Sequence, residues 1–376
     1  MRKRVMRTTA RPSRRFESRT ANFMPAHSPP LAELGWTSFF SDQMSDTEDA
    51  GSVPVRVMAV HRGKIAVAGA DIQMLIEPRI PGADAEADRP AVGDWLLLDR
   101  DTLEPIRLLQ RANLFKRLAA GERQKLQVIA ANVDTLFVVA SCNQDFNVAR
   151  IERYLVLARE VEVTPVIVLT KADLADNTET YIAKARALQP DIVVEAINAR
   201  DAQSVARLAP WCGPGQTVAL LGSSGVGKST LVNTLTGRDD IATQPVREED
   251  GKGRHTTTVR EMHRLEGGGW LMDTPGMREL QLSEVAAGIA DVFDDIVQLA
   301  LECRFSNCSH EREAGCSIKA AVAQGTLDPA RFDRWRKLAA EESTNSASRS
   351  TRRERADLAQ NAAQVAAKNH GHRSRR

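Results

Sequence analysis

QTVALLGSSGVGKST, residues Gln216 to Thr230, joins a run of apolar β-formers to a Gly-rich turn and then to a helical pattern. The turn reads G-x-x-x-x-G-K-S, in the strand–loop–helix setting that a phosphate-binding loop needs. Gly222, Gly225 and Gly227 let the backbone through Ser223, Ser224 and Val226 wrap around an anion with its N–H groups inward. The helix that follows adds the positive end of its dipole. Lys228 is expected to reach the β- and γ-phosphates of a nucleotide, and the Ser229 hydroxyl, next to Thr230, to ligate Mg²⁺.

On both sides of this loop strands alternate with helices. TLFVVAS, TPVIVLT, IVVEAIN, TTVREMHRL and GGWLMDT are strand candidates, with helical stretches near 147–160, 178–188, 201–209 and 228–237. Such alternation predicts a mostly parallel sheet covered by helices on both faces. GGWLMD runs into Asp273-Thr-Pro-Gly276. The Asp is placed to hold Mg²⁺ through water, and the Gly N–H to sense a γ-phosphate.

The strand PVIVL ends in Thr170-Lys171-Ala172-Asp173, which fits the [NT]-K-x-D pattern of guanine readers. The Asp173 carboxylate can accept from both guanine N1–H and the exocyclic amine, which adenine does not supply in that arrangement, so an ATP-using enzyme is disfavoured. Lys171 lays its stem along the purine. Thr170 stands where Asn is commoner, so a weaker tie from this loop to the phosphate loop is expected. The next strand ends in Ile197-Asn198-Ala199, where GTPases usually carry Ser-Ala with a backbone N–H on guanine O6; Asn198 departs from that pattern. The base-reading loops therefore precede the phosphate loop, which precedes D-T-P-G. Recognition depends on strand ends meeting at one sheet edge and not on chain order, so a circular permutation leaves the site intact. It also sets the segments after D-T-P-G against whatever follows, so switch movements are expected to pass into the C-terminal domain.

Upstream, VPVRVMAVHR, KIAVAGA, IQMLIEP and DWLLLDR read as short strands punctuated by turn residues. They predict a small β-barrel, of OB type or SH3-like type. LAELGWTSFFSDQ, residues 31–43, has the apolar spacing of a short docking segment, and LFKRLAAGERQKLQ, with Lys116, Arg117, Arg123 and Lys125, reads as a basic connector. Downstream, Cys303-x4-Cys308-x-His310-x5-Cys316 offers three thiolates and an imidazole. Soft donors in a closed set of four suit a structural tetrahedral Zn²⁺. Cys142 and Cys212 stand apart and read as small core residues.

Net charge is +2, but residues 1–20 carry eight Arg or Lys against one acid, and 348–376 carry eight against two. Basic ends on a near-neutral body point to a polyanion partner. Residues 1–30 are expected to be disordered, and their Arg-rich, acid-poor composition also resembles a transit peptide. No apolar run approaches the roughly 18 residues that span a bilayer, and no membrane association is expected. Aromatic residues make up only 5%, which favours recognition of nucleic-acid backbone and shape over base stacking.

LGWTSFF, AVGDW, VIAANVDTLFVV, DFNVARIERYL, TKADL, GSSGVGKSTLVN, GRHTTT, DTPGMREL and the cysteine cluster, in that order over roughly residues 31–345, resemble the bacterial circularly permuted, small-ribosomal-subunit-dependent GTPases of the RsgA/YjeQ type. The resemblance implies a multidomain α/β protein: an OB-fold barrel, a permuted P-loop GTPase domain, and a small, mainly helical zinc-binding domain. The boundaries expected are a basic extension with docking segment at 1–43, the barrel at 44–114, the GTPase at 115–300, the zinc domain at 301–345 and a basic disordered tail at 346–376. It further implies a cytoplasmic monomer that uses GTP/GDP, Mg²⁺ and one Zn²⁺ per chain. Such a protein acts late in maturation of the small (30S) subunit, contacts its rRNA and is stimulated by it to hydrolyse GTP. Within the polar stretch 238–258, Thr257 is the Mg²⁺- and γ-phosphate-closing residue by family register, with Thr256 second. Met277 occupies the place where Ras-like enzymes carry a water-orienting Gln, so unaided hydrolysis is expected to be slow, and His255 is the nearest candidate for that role. The rival reading is an RNA-binding assembly module in which GTP is mainly structural.

Overall fold

The computed structural model describes residues 29–61, 63–81, 88–118, 126–238, 260–273 and 285–346. Within them the strands run, in chain order, β1 (Ser52–His61), β2 (Lys64–Gly69), β3 (Ile72–Ile76), β4 (Trp95–Asp99), β5 (Pro105–Leu108), β6 (Leu114–Leu118), β7 (Leu126–Ala131), β8 (Thr135–Ser141), β9 (Thr164–Thr170), β10 (Val193–Ala196), β11 (Thr217–Gly222), β12 (Arg260–Arg264) and β13 (Trp270–Asp273). The longer helices are α1 (Val148–Glu160), α2 (Thr178–Arg186), α3 (Lys228–Thr236), α4 (Ala286–Val292), α5 (Asp294–Leu301), α6 (Ser317–Gln324) and α7 (329–346).

The strand readings TLFVVAS and TPVIVLT are borne out as β8 and β9, apolar in almost every position because each is covered on both faces. They pair in parallel, and the sheet order is β10-β9-β8-β11-β13-β12, with only β12 antiparallel to its neighbour β13. Phe137, Val139, Val166, Val168, Val218 and Leu271 pack with Leu231 and Leu235 of α3, which ties the helix after the phosphate loop to the sheet.

The sheet does not stop at β12. Its backbone pairs antiparallel with β1, Ala59 opposite Glu261 and Val60 opposite Arg260, and continues into β2 and β3. β4 and β5 join β1 from another side, giving an antiparallel set β3-β2-β1-β4-β5 around Val55, Val57, Ile65, Val67, Leu96 and Leu98. The stretch read as a basic connector is partly a hairpin: β6 and β7 pair with each other and carry Lys116 and Arg117, while Arg123 and Lys125 lie outside the described residues.

The docking segment is anchored where these strands meet. Leu34 is fully buried, Trp36 sets its ring edge against Trp95 at 4.8 Å, and Trp270 Nε1 donates to the Glu33 carbonyl at 2.8 Å. Arg264 closes on the Glu33 carboxylate at 2.6 Å. Beneath lies Arg56, 2% exposed, whose guanidinium donates to the carbonyls of Leu34, Gly93 (3.3 Å) and Asn132 (3.0 Å). Burial lowers its pKa to about 10, with Asp134 and Asp94 opposing the shift, so it stays a cation at neutral pH.

The chain divides into two compact units, and the division does not follow chain order. Of the described residues, the first takes in those within Met1–Phe146, Val163–Arg186 and Ile192–Leu280, and the second those within Asn147–Glu162, Ala187–Asp191 and Gln281–Arg376. In the second, α1 packs on α4, and the Gly288 N–H donates to the Glu160 carboxylate at 2.9 Å. Glu152 of α1 is fully buried and accepts from Arg331 (3.3 Å) and Arg334 (2.6 Å) of α7. A buried carboxylate is tolerated only with such partners. Arg153 forms a two-pronged pair with Glu341 at 2.7 and 2.6 Å.

Candidate functional site

The C-terminal ends of β8, β9 and β11 lie side by side, because Ser141 is in register with Thr170 and Val139 with Gly222. Gly222 approaches β8 so closely that a Cβ there would lie 2.4 Å from the Val139 carbonyl oxygen, so only glycine lets the chain leave the sheet at this point. Ser223 is half-buried, Ser224 and Gly225 are exposed, and Val226 turns into the core. Lys228, the first residue of α3, is buried and donates to the carbonyls of Gly222 (2.8 Å) and Ser223. Ser229 and Thr230 follow, half-buried, in the first turn of the helix.

The TKAD loop is fastened to this phosphate loop at two points. The Thr170 hydroxyl, fully buried, lies between the carbonyls of Ala140 (3.2 Å) and Val226, and Lys171 Nζ donates to the Gly225 carbonyl at 2.8 Å. Lys171 itself has a left-handed backbone, φ 58°, which swings the next residues away from the strand. Thr in place of Asn still ties the two loops: its short hydroxyl reaches the Val226 carbonyl because β9 and the phosphate loop approach closely, and the lysine adds a second tie. Asp173 sits exposed in the short turn Ala172–Leu174.

The third loop is laced to the second, with the Ala172 N–H donating to the Ile197 carbonyl at 3.2 Å. Asn198 is occupied within its own turn: its N–H donates to Ser204 Oγ at 2.9 Å and its side-chain oxygen accepts from the Arg200 N–H at 3.0 Å. Ala199 is buried, and its carbonyl accepts from Thr234 Oγ1 of α3 at 2.7 Å. Asp273 ends β13, whose Met272 is in register with Ala219 of β11, so its backbone reaches the same sheet edge. His255, Thr256, Thr257, Gly276 and Met277 lie outside the described residues, as do the basic segments 1–28 and 347–376.

In the second unit the four cysteine and histidine donors converge. Cys303 Sγ lies 3.9 Å from Cys316 Sγ and 3.6 Å from His310 Nδ1, Cys316 Sγ lies 3.5 Å from the same nitrogen, and all four donor atoms, Cys308 included, fall within 4.8 Å of one another. Tetrahedral zinc with its usual bond lengths separates its donors by roughly 3.4–3.8 Å, so the donor set and its spacing fit that ion. His310 has φ 62° and sets its ring edge against Trp335 at 5.9 Å. Cys142 and Cys212 are unlike these: burial alone pushes their thiols up to about 11 and about 12, and thiols held protonated are inert.

A family profile described as RsgA GTPase matches residues 108–283. A relative from Mesorhizobium japonicum, called small ribosomal subunit biogenesis GTPase RsgA, is 49% identical over 325 residues, which is 85% of this chain and 92% of the relative. The chain belongs to the RsgA GTPase family. A second relative, small ribosomal subunit biogenesis GTPase RsgA 2 of Vibrio parahaemolyticus, is 46% identical over 85% of this chain and 87% of its own length. Among solved structures, YjeQ from Thermotoga maritima matches with TM-score 0.56 at 23% identity, over 76% of this chain and 97% of that one. YloQ, described as a circularly permuted GTPase, matches with TM-score 0.54 at 23% identity, over 78% of this chain and 96% of its own. The protein is thus an RsgA-type GTPase with the permuted fold, as the reversed order of its loops predicts.

Sequence reasoning singled out the loops of this RsgA-family site but missed Ser204 and Thr234, which hold the third loop. Neither belongs to a motif; a hydroxyl on the helix behind a loop becomes informative only when its acceptor is known.

Proposed function

We propose that this GTPase works as a timed switch on the small ribosomal subunit: the GTP form binds the subunit late in its maturation, and hydrolysis releases the factor. The observation that carries the reading is the double fastening of a guanine-type loop to a phosphate loop, Thr170 to Val226 and Lys171 to Gly225 (2.8 Å). One nucleotide can then touch both. The names of the relatives support the ribosomal assignment.

In this reading the backbone N–H groups of Gly222–Thr230 and the Lys228 ammonium hold the β- and γ-phosphates, the ammonium exchanging its loop carbonyls for phosphate oxygens. Ser229, Thr257 and Asp273 hold Mg²⁺, which neutralises charge on the phosphates. The Gly276 N–H senses the γ-phosphate, and His255 orients the attacking water. Asp173 reads N1–H and the exocyclic amine, Lys171 covers the purine, and the Asn198–Ala199 turn faces O6. Cys303, Cys308, His310 and Cys316 hold one structural Zn²⁺ per chain. The antiparallel set β3-β2-β1-β4-β5 serves as an OB-type barrel, and with Lys116, Arg117, the zinc domain and the basic ends it tracks rRNA through phosphate contacts. A monomer working in the cytoplasm fits this role; among the described residues no helix is long and apolar enough to cross a membrane.

GTP turnover measured with and without purified small subunits tests the proposal. A rise of at least tenfold on adding subunits is expected. Unchanged turnover would favour the rival, an RNA-binding assembly factor in which GTP only stabilises the fold. Competition of ATP against GTP, with Asp173→Asn as the control, tests the base assignment separately.

A further inference from the structure

The Asn198–Ala199 peptide is held from both ends by hydroxyls that belong to no nucleotide motif. On one side the preceding peptide is fixed, because the Asn198 N–H donates to Ser204 Oγ at 2.9 Å. On the other side the following peptide is fixed, because the Ala199 carbonyl accepts from Thr234 Oγ1 at 2.7 Å. Ser204 stands on a short helix, Ala202–Val205, capped by the Asp201 side chain, which accepts from the Gln203 N–H at 3.1 Å. Thr234 stands on α3, the helix that begins with the phosphate-loop lysine. The peptide between them, whose N–H is that of Ala199, has both neighbouring peptides fixed by these two bonds, and its own carbonyl, that of Asn198, accepts from the Asp201 N–H at 3.1 Å. Among the described residues no backbone carbonyl accepts from that N–H. Its neighbour Ile197 accepts from the Ala172 N–H at 3.2 Å, so the backbone of the turn is tied to the residue next to Asp173.

We infer that Ser204 and Thr234 are positioning residues for nucleotide specificity, aiming the Ala199 N–H at the 6-oxo group of guanine. The inference rests on the guanine reading above and goes beyond it by dividing the work. Asp173 reads the donor edge of the base. The Ser204–Thr234 pair fixes the peptides on either side of the acceptor-edge reader, whose own carbonyl the Asp201 N–H holds, and through Thr234 links it to the helix that bears the phosphate loop. A backbone donor fixed in advance loses no rotational freedom on binding, so it discriminates more sharply than a mobile one.

The division is measurable with two analogues. In 6-thio-GDP the O6 is replaced by sulfur, a larger and weaker acceptor, while N1–H and the exocyclic amine remain. In IDP the amine is missing and O6 remains. Affinities of the full chain for GDP, 6-thio-GDP and IDP are measured with Mg²⁺ by displacement of a fluorescent GDP. The variants are Ser204→Ala, Thr234→Val, which keeps the shape without the hydroxyl, and Thr234→Ser, which keeps the hydroxyl. Ser204→Ala and Thr234→Val should each shrink the preference for GDP over 6-thio-GDP by about three- to tenfold, the worth of one hydrogen bond. Thr234→Ser should restore it, and the preference for GDP over IDP should stay the same in all. If the 6-thio-GDP preference survives both hydroxyl deletions, or if both preferences fall together as general loosening would make them, the inference is overturned. A wild-type chain indifferent to all three nucleotides would instead overturn the guanine reading, and the inference with it.

Discussion

Thr170 shows how much one hydroxyl can do when it sits at a strand end. It is fully buried, and it lies between two carbonyls, one of β8 and one of the phosphate loop. Thr170→Val keeps the shape and leaves the Val226 carbonyl without that donor. An unmade buried hydrogen bond costs about 1–3 kcal/mol, so GDP affinity should drop by about five- to a hundredfold. Isothermal titration of the two proteins reads this directly; equal affinities would show that Lys171 alone ties the loops. The residue was legible in the sequence as the first position of a guanine motif, but its partner was not, because the partner is chosen by how closely two strands approach. Arg56 was less legible still. In V-P-V-R-V strict alternation would turn it to solvent, yet Val55, Arg56, Val57 and Met58 are all buried, since the docking segment covers the second face of β1.

At the scale of elements, the docking segment and the cysteine knuckle each hold by a few contacts that can be removed singly. Gly35 has φ +90°, and a Cβ there would lie 2.7 Å from Arg56 Nη1 and 2.8 Å from the Gly215 carbonyl oxygen. Gly35→Ala must therefore strain its backbone and push the segment off the buried guanidinium. Strain of this kind costs about 1–3 kcal/mol, and a fall in thermal midpoint of several degrees is expected; an unchanged midpoint would mean the segment contributes little. For the knuckle, metal analysis of the purified chain should give about one zinc per chain. Chelation should loosen α5, α6 and the 302–316 loop first, read as faster hydrogen exchange there than in β8 or β11, because closure of the four donors supplies folding free energy that the few apolar contacts of so small an element do not. The cluster of Cys303, Cys308, His310 and Cys316 was legible from spacing alone, since four such donors within fourteen residues are brought together by the chain's own turns. The hairpin of β6 and β7 was read as a connector because nothing local distinguishes a basic strand pair from a basic linker.

For the molecule as a whole, the least foreseeable feature is the pairing of β12 with β1. Strand–helix alternation announced the parallel sheet, and alternating short strands announced the antiparallel one. Their fusion into a single hydrogen-bonded sheet depends on residues some 200 positions apart and leaves no local trace. The fusion has a thermodynamic consequence. If β1 and the nucleotide strands open only together, a ligand held at the edge of β9 and β11 must also protect β1, although it touches none of its residues. GDP at about a hundred times its dissociation constant adds about 2.7 kcal/mol to the stability of whatever cooperative body binds it, which slows global-opening exchange about a hundredfold. The Val57 N–H, bonded to the Asp94 carbonyl at 2.8 Å, should therefore slow by the same factor as the amides of β8 and β11 when GDP is added. If only the β8 and β11 amides slow while Val57 exchanges as before, the shared sheet is two bodies that open independently, and nucleotide binding is not felt by the antiparallel strands through their pairing.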